Sequence, residues 1–99
     1  MSDCQDPNCR CHRFRDKVAI ITGAASGIGR ACALAFAAEG ARLAICDVNM
    51  EGLEGTRQSI EETGAECLAT HVDVCEQDEV EAFIQATLDR LGTIDILVN

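Results

Sequence analysis

Apolar residues after position 16 fall into short continuous runs that alternate with longer segments of helical character. The run Val18–Thr22 has the length and composition of a strand that is buried on both faces of a sheet. Similar runs predict strands at residues 42–46, ending at Asp47, at about 66–72 and at 94–98. The pattern therefore predicts four strands, separated by three connections that are long enough to hold helices.

The three connections differ in how clearly they predict a helix. Residues 76–91 have the clearest period, since six side chains recur at i, i+3, i+4, i+7, i+8 and i+11. These positions are Val80, Phe83, Ile84, Thr87, Leu88 and Leu91. Residues 28–39 are small and helix-forming. Residues 50–63 have few apolar positions, and Gly52 and Gly55 each cost about 1 kcal/mol relative to alanine, yet a helix is predicted there as well.

The order of these elements predicts the fold class. Strands and helices that alternate with short connections require right-handed crossovers and produce a parallel sheet. We therefore expect an α/β fold with a doubly wound parallel sheet of the Rossmann type. Such a domain usually contains about six strands, so the 99 residues are expected to be part of a longer domain, truncated after the fourth strand.

Composition and charge narrow the class of protein. The chain is 47% hydrophobic and 25% charged, as in soluble globular domains. Its net charge of -9 argues against nucleic acid or an anionic membrane as a partner. No apolar run reaches the roughly 18 residues of a membrane span, and the N-terminus lacks the apolar stretch of a secretory signal. A cytoplasmic location is expected.

The first residues differ from the remainder in charge. Residues 1–17 hold four bases and three acids, whereas residues 18–99 hold four bases and fourteen acids. This shift predicts a polar, flexible extension at 1–16 and a folded domain at 17–99.

Seven cysteines raise the question of metal ligands and disulfides. Cys4, Cys9, Cys11 and His12 offer four soft ligands for zinc, but the neighbouring Cys11 and His12 would strain a single tetrahedral site. A flexible extension without a metal is preferred. The other four cysteines lie in or beside apolar elements, and without a secretory signal they are expected to be reduced thiols. They are Cys32, Cys46, Cys67 and Cys75.

A glycine-rich segment joins the first predicted strand to the first predicted helix. The N-terminus of a helix presents unpaired N–H groups and partial positive charge, which suit a pyrophosphate. Glycines allow a sharp turn, a close approach of phosphate and tight packing of the helix, and Gly29 is expected to leave room for a phosphate. The candidate binding residues are Gly23, Ser26, Gly27, Ile28 and Gly29, with the Ser26 hydroxyl adding a hydrogen bond.

The glycine spacing, G-x-x-x-G-x-G, departs from the G-x-G-x-x-G pattern of many dinucleotide-binding domains. It is not a phosphate loop of the Walker type, because no Lys-Ser or Lys-Thr follows the glycines. A tight turn without a ligand is the alternative interpretation.

Asp47 follows the second predicted strand, where a carboxylate accepts hydrogen bonds from both hydroxyls of an adenosine ribose and repels a 2′-phosphate. NAD is therefore favoured over NADP as the cofactor. Arg30 is the alternative contact for that phosphate, although a solvent-facing helix position is the simpler interpretation. Asp47 also has an alternative role as the N-cap of the second helix.

Asp73 and Val74 follow the third predicted strand. Asp73 is placed to reach the amino group of an adenine ring, and Val74 offers an apolar face. A cap for the helix that starts near Glu76 is an equally good role for Asp73. His71 is interpreted as an ordinary strand residue.

These residues resemble the short-chain dehydrogenase/reductase family over roughly residues 16–99. The matching landmarks are the Thr22–Gly29 segment, Asp47, Asp73-Val74 and the segment from Asp95 to Asn99. The resemblance implies a homo-oligomeric, NAD(P)-dependent oxidoreductase that acts on small-molecule alcohols and ketones. It also implies that Asn99 braces the central strand.

The family's catalytic Ser and Tyr-x-x-x-Lys lie downstream of the matched segment, and this chain contains no tyrosine. No catalytic residue is therefore assigned here. Two other functions stay open: a non-catalytic dinucleotide-binding or regulatory module, and a methyltransferase-like domain. The glycine spacing and the 95–99 segment argue against the methyltransferase.

Overall fold

The computed structural model describes residues 14–99, in which strands and helices alternate strictly. The elements are β1 Val18–Thr22, α1 Gly27–Ala38, β2 Arg42–Asp47, α2 Met50–Glu62, β3 Cys67–His71, α3 Gln77–Leu91 and β4 Ile96–Val98. Every predicted strand and helix is present. The expectations for the cysteines and the histidine of the N-terminal extension lie outside the described residues.

The four strands form one parallel sheet in the order β3-β2-β1-β4. Ile20 of β1 pairs with Ala44 of β2 on one side and with Leu97 of β4 on the other. The chain runs outward from β1 to β3 and then returns to add β4 on the opposite side, so the direction of winding reverses beside β1. The doubly wound α/β fold is confirmed.

The two faces of the sheet bury different sets of residues, because side chains alternate along each strand. Ala19 and Ile21 lie in the core beneath α1 and α2, together with Leu53 and Ile60 of α2. Ile20 faces the opposite core, where the buried partners come from β2, the end of β3 and α3. These partners include Ala44, Cys46, Val72, Phe83 and Leu91.

The helix with the least favourable sequence, α2, is stabilised at its start and along its exposed face. The Asn49 side chain accepts a hydrogen bond from the N–H of Gly52 at 3.1 Å and caps the helix. Arg57 pairs with Glu54 and with Glu61 along the helix surface. Capping and burial of the apolar face outweigh the cost of two glycines.

The fourth strand is shorter than its apolar run. It begins at Ile96 because Asp95 makes a different pair of bonds with β1. The N–H of Asp95 donates to the carbonyl of Val18, and the N–H of Val18 donates to the Asp95 carboxylate, both at 2.9 Å. A side chain therefore takes the place of one ladder bond. Among the helices of residues 14–99, none has both the length and the apolar character to cross a bilayer.

Candidate functional site

A crevice of 490 Å³ opens above the carboxyl ends of β1 and β4. Its position is the point where the sheet reverses its winding, which is where open α/β sheets bind their ligands. It is lined by Thr22, Gly23, Ser26, Ile28, Gly29, Val74, Val98 and Asn99. Five of the eight candidate cofactor-binding residues lie on its wall. Gly27, Asp47 and Asp73 do not line it.

The three glycines of the turn are required for different structural reasons. Gly23 and Gly27 have φ angles of 64° and 62°, a conformation that favours glycine, and a Cβ on either would meet nothing within 4 Å. A Cβ on Gly29 would lie 2.2 Å from the carbonyl oxygen of Gly23. The space expected for a phosphate beside Gly29 is therefore taken on that side by the turn itself, and Gly29 lets α1 start against the turn.

The start of α1 carries no negative charge and no side-chain cap. Ser26 is the N-cap residue, but its hydroxyl makes no capping bond. The first turn of α1 contains no acidic residue, whereas α3 has Asp78 and Glu79 there. The N–H groups and the positive end of the α1 dipole are thus left for an anion in the crevice.

Asp47 lies behind the turn rather than on the crevice wall. One carboxylate oxygen accepts a hydrogen bond from the N–H of Ala25, and the other accepts one from the N–H of Asn49, both at 3.0 Å. Partial burial raises the pKa of Asp47, but bonds from Asn49, Ala25 and Val48 N–H groups outweigh it and lower the pKa overall. The N-cap alternative is wrong, because Asn49 caps α2.

The Asp73 side chain closes a local turn by accepting a hydrogen bond from the N–H of Cys75 at 2.9 Å. The alternative of a cap for α3 is wrong, because Glu76 occupies the N-cap position. The N–H of Asp73 donates to Glu79 at 2.9 Å, which ties the end of β3 to α3. Val74 is 60% exposed and contributes an apolar wall to the crevice.

Arg30 and His71 both have neighbours within the fold. The Arg30 guanidinium lies 3.5 Å from the hydroxyl of Ser59 and is directed toward α2, so the side chain is half-buried rather than fully solvent-facing. His71 is exposed at the end of β3, with Nδ1 3.9 Å from a carboxylate oxygen of Glu79.

Comparisons with known proteins identify the family to which the chain belongs. A family model described as short chain dehydrogenase matches residues 17–99. The chain belongs to the short-chain dehydrogenase family. The levodione reductase of Leifsonia aquatica is 48% identical to this short-chain dehydrogenase chain over 89 residues, covering 88% of this chain and 33% of the relative.

The sorbitol dehydrogenase of Cereibacter sphaeroides is a second relative and is 47% identical over 87 residues. The match covers 88% of this chain and 33% of the relative. Among solved structures, an NAD+-bound xylitol dehydrogenase superposes with a TM-score of 0.84 at 36% identity, over 86% of this chain and 33% of the other. The chain spans about a third of the length of the curated relatives it matches.

Two residues at the site, Thr22 and Thr56, are not among the candidate binding residues identified from the sequence. Thr22 and Asn99 both line the crevice, and the Thr22 hydroxyl donates a hydrogen bond to the Asn99 side chain at 3.3 Å. Thr56 of α2 contacts the glycine turn from behind, with its hydroxyl donating to the carbonyl of Ala24 at 2.8 Å. Position next to the glycine motif points to Thr22. No local signal points to Thr56, because its contact with the turn is tertiary.

Proposed function

We propose that this chain is the dinucleotide-binding part of an NAD-dependent short-chain oxidoreductase, in which hydride passes between NAD and an alcohol or ketone. One observation carries the proposal: an uncapped, glycine-bordered helix start opens on a crevice at the reversal point of the sheet. A partly buried hydrogen bond from the N–H of Ala25 to Asp47 holds a carboxylate beside the same turn.

The open space at Gly23 and Gly27 fits a diphosphate that approaches the backbone closely. In the proposal, Gly23, Ser26, Gly27, Ile28 and Gly29 hold the diphosphate at the start of α1. When bound, the nicotinamide cofactor supplies the hydride chemistry, and the residues of this chain bind and orient it.

Three further residues complete the proposed cofactor contacts. Asp47 accepts hydrogen bonds from the hydroxyls of the adenosine ribose, Val74 packs on the adenine, and Asp73 receives the adenine amino group. NAD is favoured over NADP because the Asp47 carboxylate is charged at neutral pH and repels a 2′-phosphate. Backbone N–H bonds, which lower the pKa of Asp47, further favour the charged form. Arg30 is engaged with α2, which supports the same preference.

The substrate class rests on the relatives. Levodione reductase, sorbitol dehydrogenase and xylitol dehydrogenase are named for ketone or alcohol substrates. We extend that class, and the homo-oligomeric state implied by the family, to the whole protein that contains this chain. The groups that exchange a proton with the substrate are proposed to lie outside residues 14–99.

A binding and turnover experiment on the whole protein tests the proposal. Calorimetric titration should show NADH binding about tenfold or more tightly than NADPH, and no binding of S-adenosylmethionine. A panel of secondary alcohols and polyols with NAD should then give NADH, followed by its absorbance. Failure to bind NADH would reject the proposal, and tight binding without turnover on any alcohol or ketone would favour a non-catalytic module.

A further inference from the structure

The Ala24–Ala25 segment of the glycine turn is fixed from behind at three points. The N–H of Ala24 donates to the carbonyl of Cys46 at 3.1 Å, and the N–H of Ala25 donates to Asp47 at 3.0 Å. The third point is the carbonyl of Ala24, which accepts a hydrogen bond from the Thr56 hydroxyl at 2.8 Å. Two of these partners belong to β2, and Thr56 is the partner from α2.

The Thr56 hydroxyl lies closer to an acceptor outside its own helix than to the usual acceptor within it. A threonine inside a helix commonly bonds to the carbonyl four residues earlier, as the Thr87 hydroxyl does to Phe83 at 2.8 Å. The corresponding acceptor for Thr56 is the carbonyl of Gly52, but that oxygen is farther away, at 3.3 Å. Both threonines are fully buried. The Thr56 hydroxyl is thus directed out of its own helix toward the turn.

The first turn of α2 lies directly on the same segment. A Cβ on Gly52 would come within 3.0 Å of both the side chain and the carbonyl oxygen of Ala25. Gly52, which lowers helix propensity, therefore permits the close approach that brings Thr56 within reach of Ala24. The helix and the turn are packed as one unit.

We infer that Thr56 is a positioning residue for the cofactor, acting through the Ala24–Ala25 peptides; this rests on the proposed function. By holding the carbonyl of Ala24, its hydroxyl sets the direction in which the chain enters Ser26 and the start of α1. The N–H groups that receive the diphosphate are thereby oriented before the cofactor arrives, which reduces the ordering cost of binding. Thr56 itself lines no part of the crevice.

Substitution of Thr56 in the whole protein tests this inference. Thr56→Val keeps the volume and removes the hydroxyl, so the Kd for NADH and for ADP should rise about tenfold. The Kd for adenosine, which has no phosphate, should change less than about twofold. Thr56→Ser retains the hydroxyl and should bind NADH within about twofold of the wild type.

Thr87→Val is the matched control, because it removes an equally buried hydroxyl that bonds within its own helix. It should lower the unfolding temperature while leaving the Kd for NADH unchanged. Unchanged NADH binding in Thr56→Val, or an equal loss for adenosine and NADH, would overturn the inference.

If Thr56→Val does not fold, Thr56→Cys can be compared with Thr56→Ser instead. Thr56→Cys fills the same space with a thiol that is a weak donor, and NADH binding equal to that of Thr56→Ser would also overturn the inference. Absence of NADH binding by the wild-type protein would instead reject the proposed function together with the inference drawn from it.

Discussion

Asp47 accepts a hydrogen bond from the backbone N–H of Ala25 at 3.0 Å, joining the end of β2 to the glycine turn across 22 positions of the chain. The other carboxylate oxygen accepts the N–H of Asn49, which leads into α2. The same side chain thus provides negative charge at the proposed ribose site and an acceptor that shapes the turn. Substitutions can separate these two roles.

Asp47→Ala removes both roles, and Asp47→Asn removes the charge while keeping an acceptor oxygen for Ala25. We expect Asp47→Ala to weaken NADH strongly and to favour NADPH only relatively, because the turn also loses a bond. Asp47→Asn should bind NADPH more tightly than either Asp47→Ala or the wild type. Titration of both cofactors against the three proteins measures this, and identical constants in all three would remove Asp47 from the site.

A methyl group at Gly29 should damage the turn. Its Cβ would lie 2.2 Å from the Gly23 carbonyl oxygen, so we expect Gly29→Ala to lower the free energy of unfolding by about 1–3 kcal/mol. NADH affinity should fall more than about tenfold. Urea unfolding and NADH titration check the two effects.

Gly55→Ala is the control for this prediction. A Cβ at Gly55 would have only the Arg30 guanidinium within 4 Å, at 3.9 Å. Alanine in place of a helical glycine should raise the free energy of unfolding by about 0.5–1 kcal/mol and leave NADH binding unchanged. Equal behaviour of the two alanine variants would show that the contact at Gly29 has no effect.

The side chain of Asp95 should contribute to stability through β1. Val18 is fully buried, and Asp95→Ala would leave its N–H without the carboxylate acceptor. We expect a loss of about 1–3 kcal/mol in the free energy of unfolding. Asp89→Ala, at an exposed position where the carboxylate accepts a hydrogen bond from the Gln85 side chain, should change it by less than about 0.5 kcal/mol. Denaturant midpoints that do not differ would contradict this prediction.

The thiols of Cys46, Cys67 and Cys75 should react with an alkylating reagent at different rates. Burial, and to a smaller extent the charge of Asp47, raises the pKa of Cys46 to about 11, although a hydrogen bond from the backbone of Gly23 lowers it slightly. On the order of one Cys46 thiol in a thousand is therefore ionised at pH 8. Burial likewise raises the pKa of Cys67 to about 12. Cys75 is exposed.

Alkylation with iodoacetamide, followed by peptide mass mapping, should therefore modify Cys75 much faster than Cys46 or Cys67 in the folded protein. In urea the three rates should converge. Equal rates under folding conditions would contradict the burial of β2 and β3 side chains.

Local patterns predicted the elements because each apolar run and each helical period is a property of neighbouring residues. The start of β4 differed, since the reciprocal bonds of Asp95 with Val18 depend on a strand far away in the chain. The N-cap alternatives for Asp47 and Asp73 are wrong for a local reason. Asn49 and Glu76 lie nearer to the helices, while the two aspartates bond to turns.

The candidate site was only partly visible in the sequence. Glycine spacing and the acid after β2 gave residues near the crevice, because their positions are fixed by strand ends. Ala24 and Ala25 lie within the glycine-rich segment and Thr56 lies in no motif, and the contacts between them arise only when α2 packs on the turn. In the sequence pattern, Gly52 only lowers the predicted stability of the helix, whereas in the structure the packing against Ala25 requires it.

The wall formed by Val98 and Asn99 lies beside the glycine turn in the crevice, but it is synthesised well after that turn because it comes about 70 residues later in the chain. At about 5–20 residues per second, the turn is synthesised several seconds before that wall. In a nascent chain, this part of the crevice wall is therefore missing until translation has passed β4. Only then does β1 gain its second neighbour in the sheet, since β2 pairs with it on the other side.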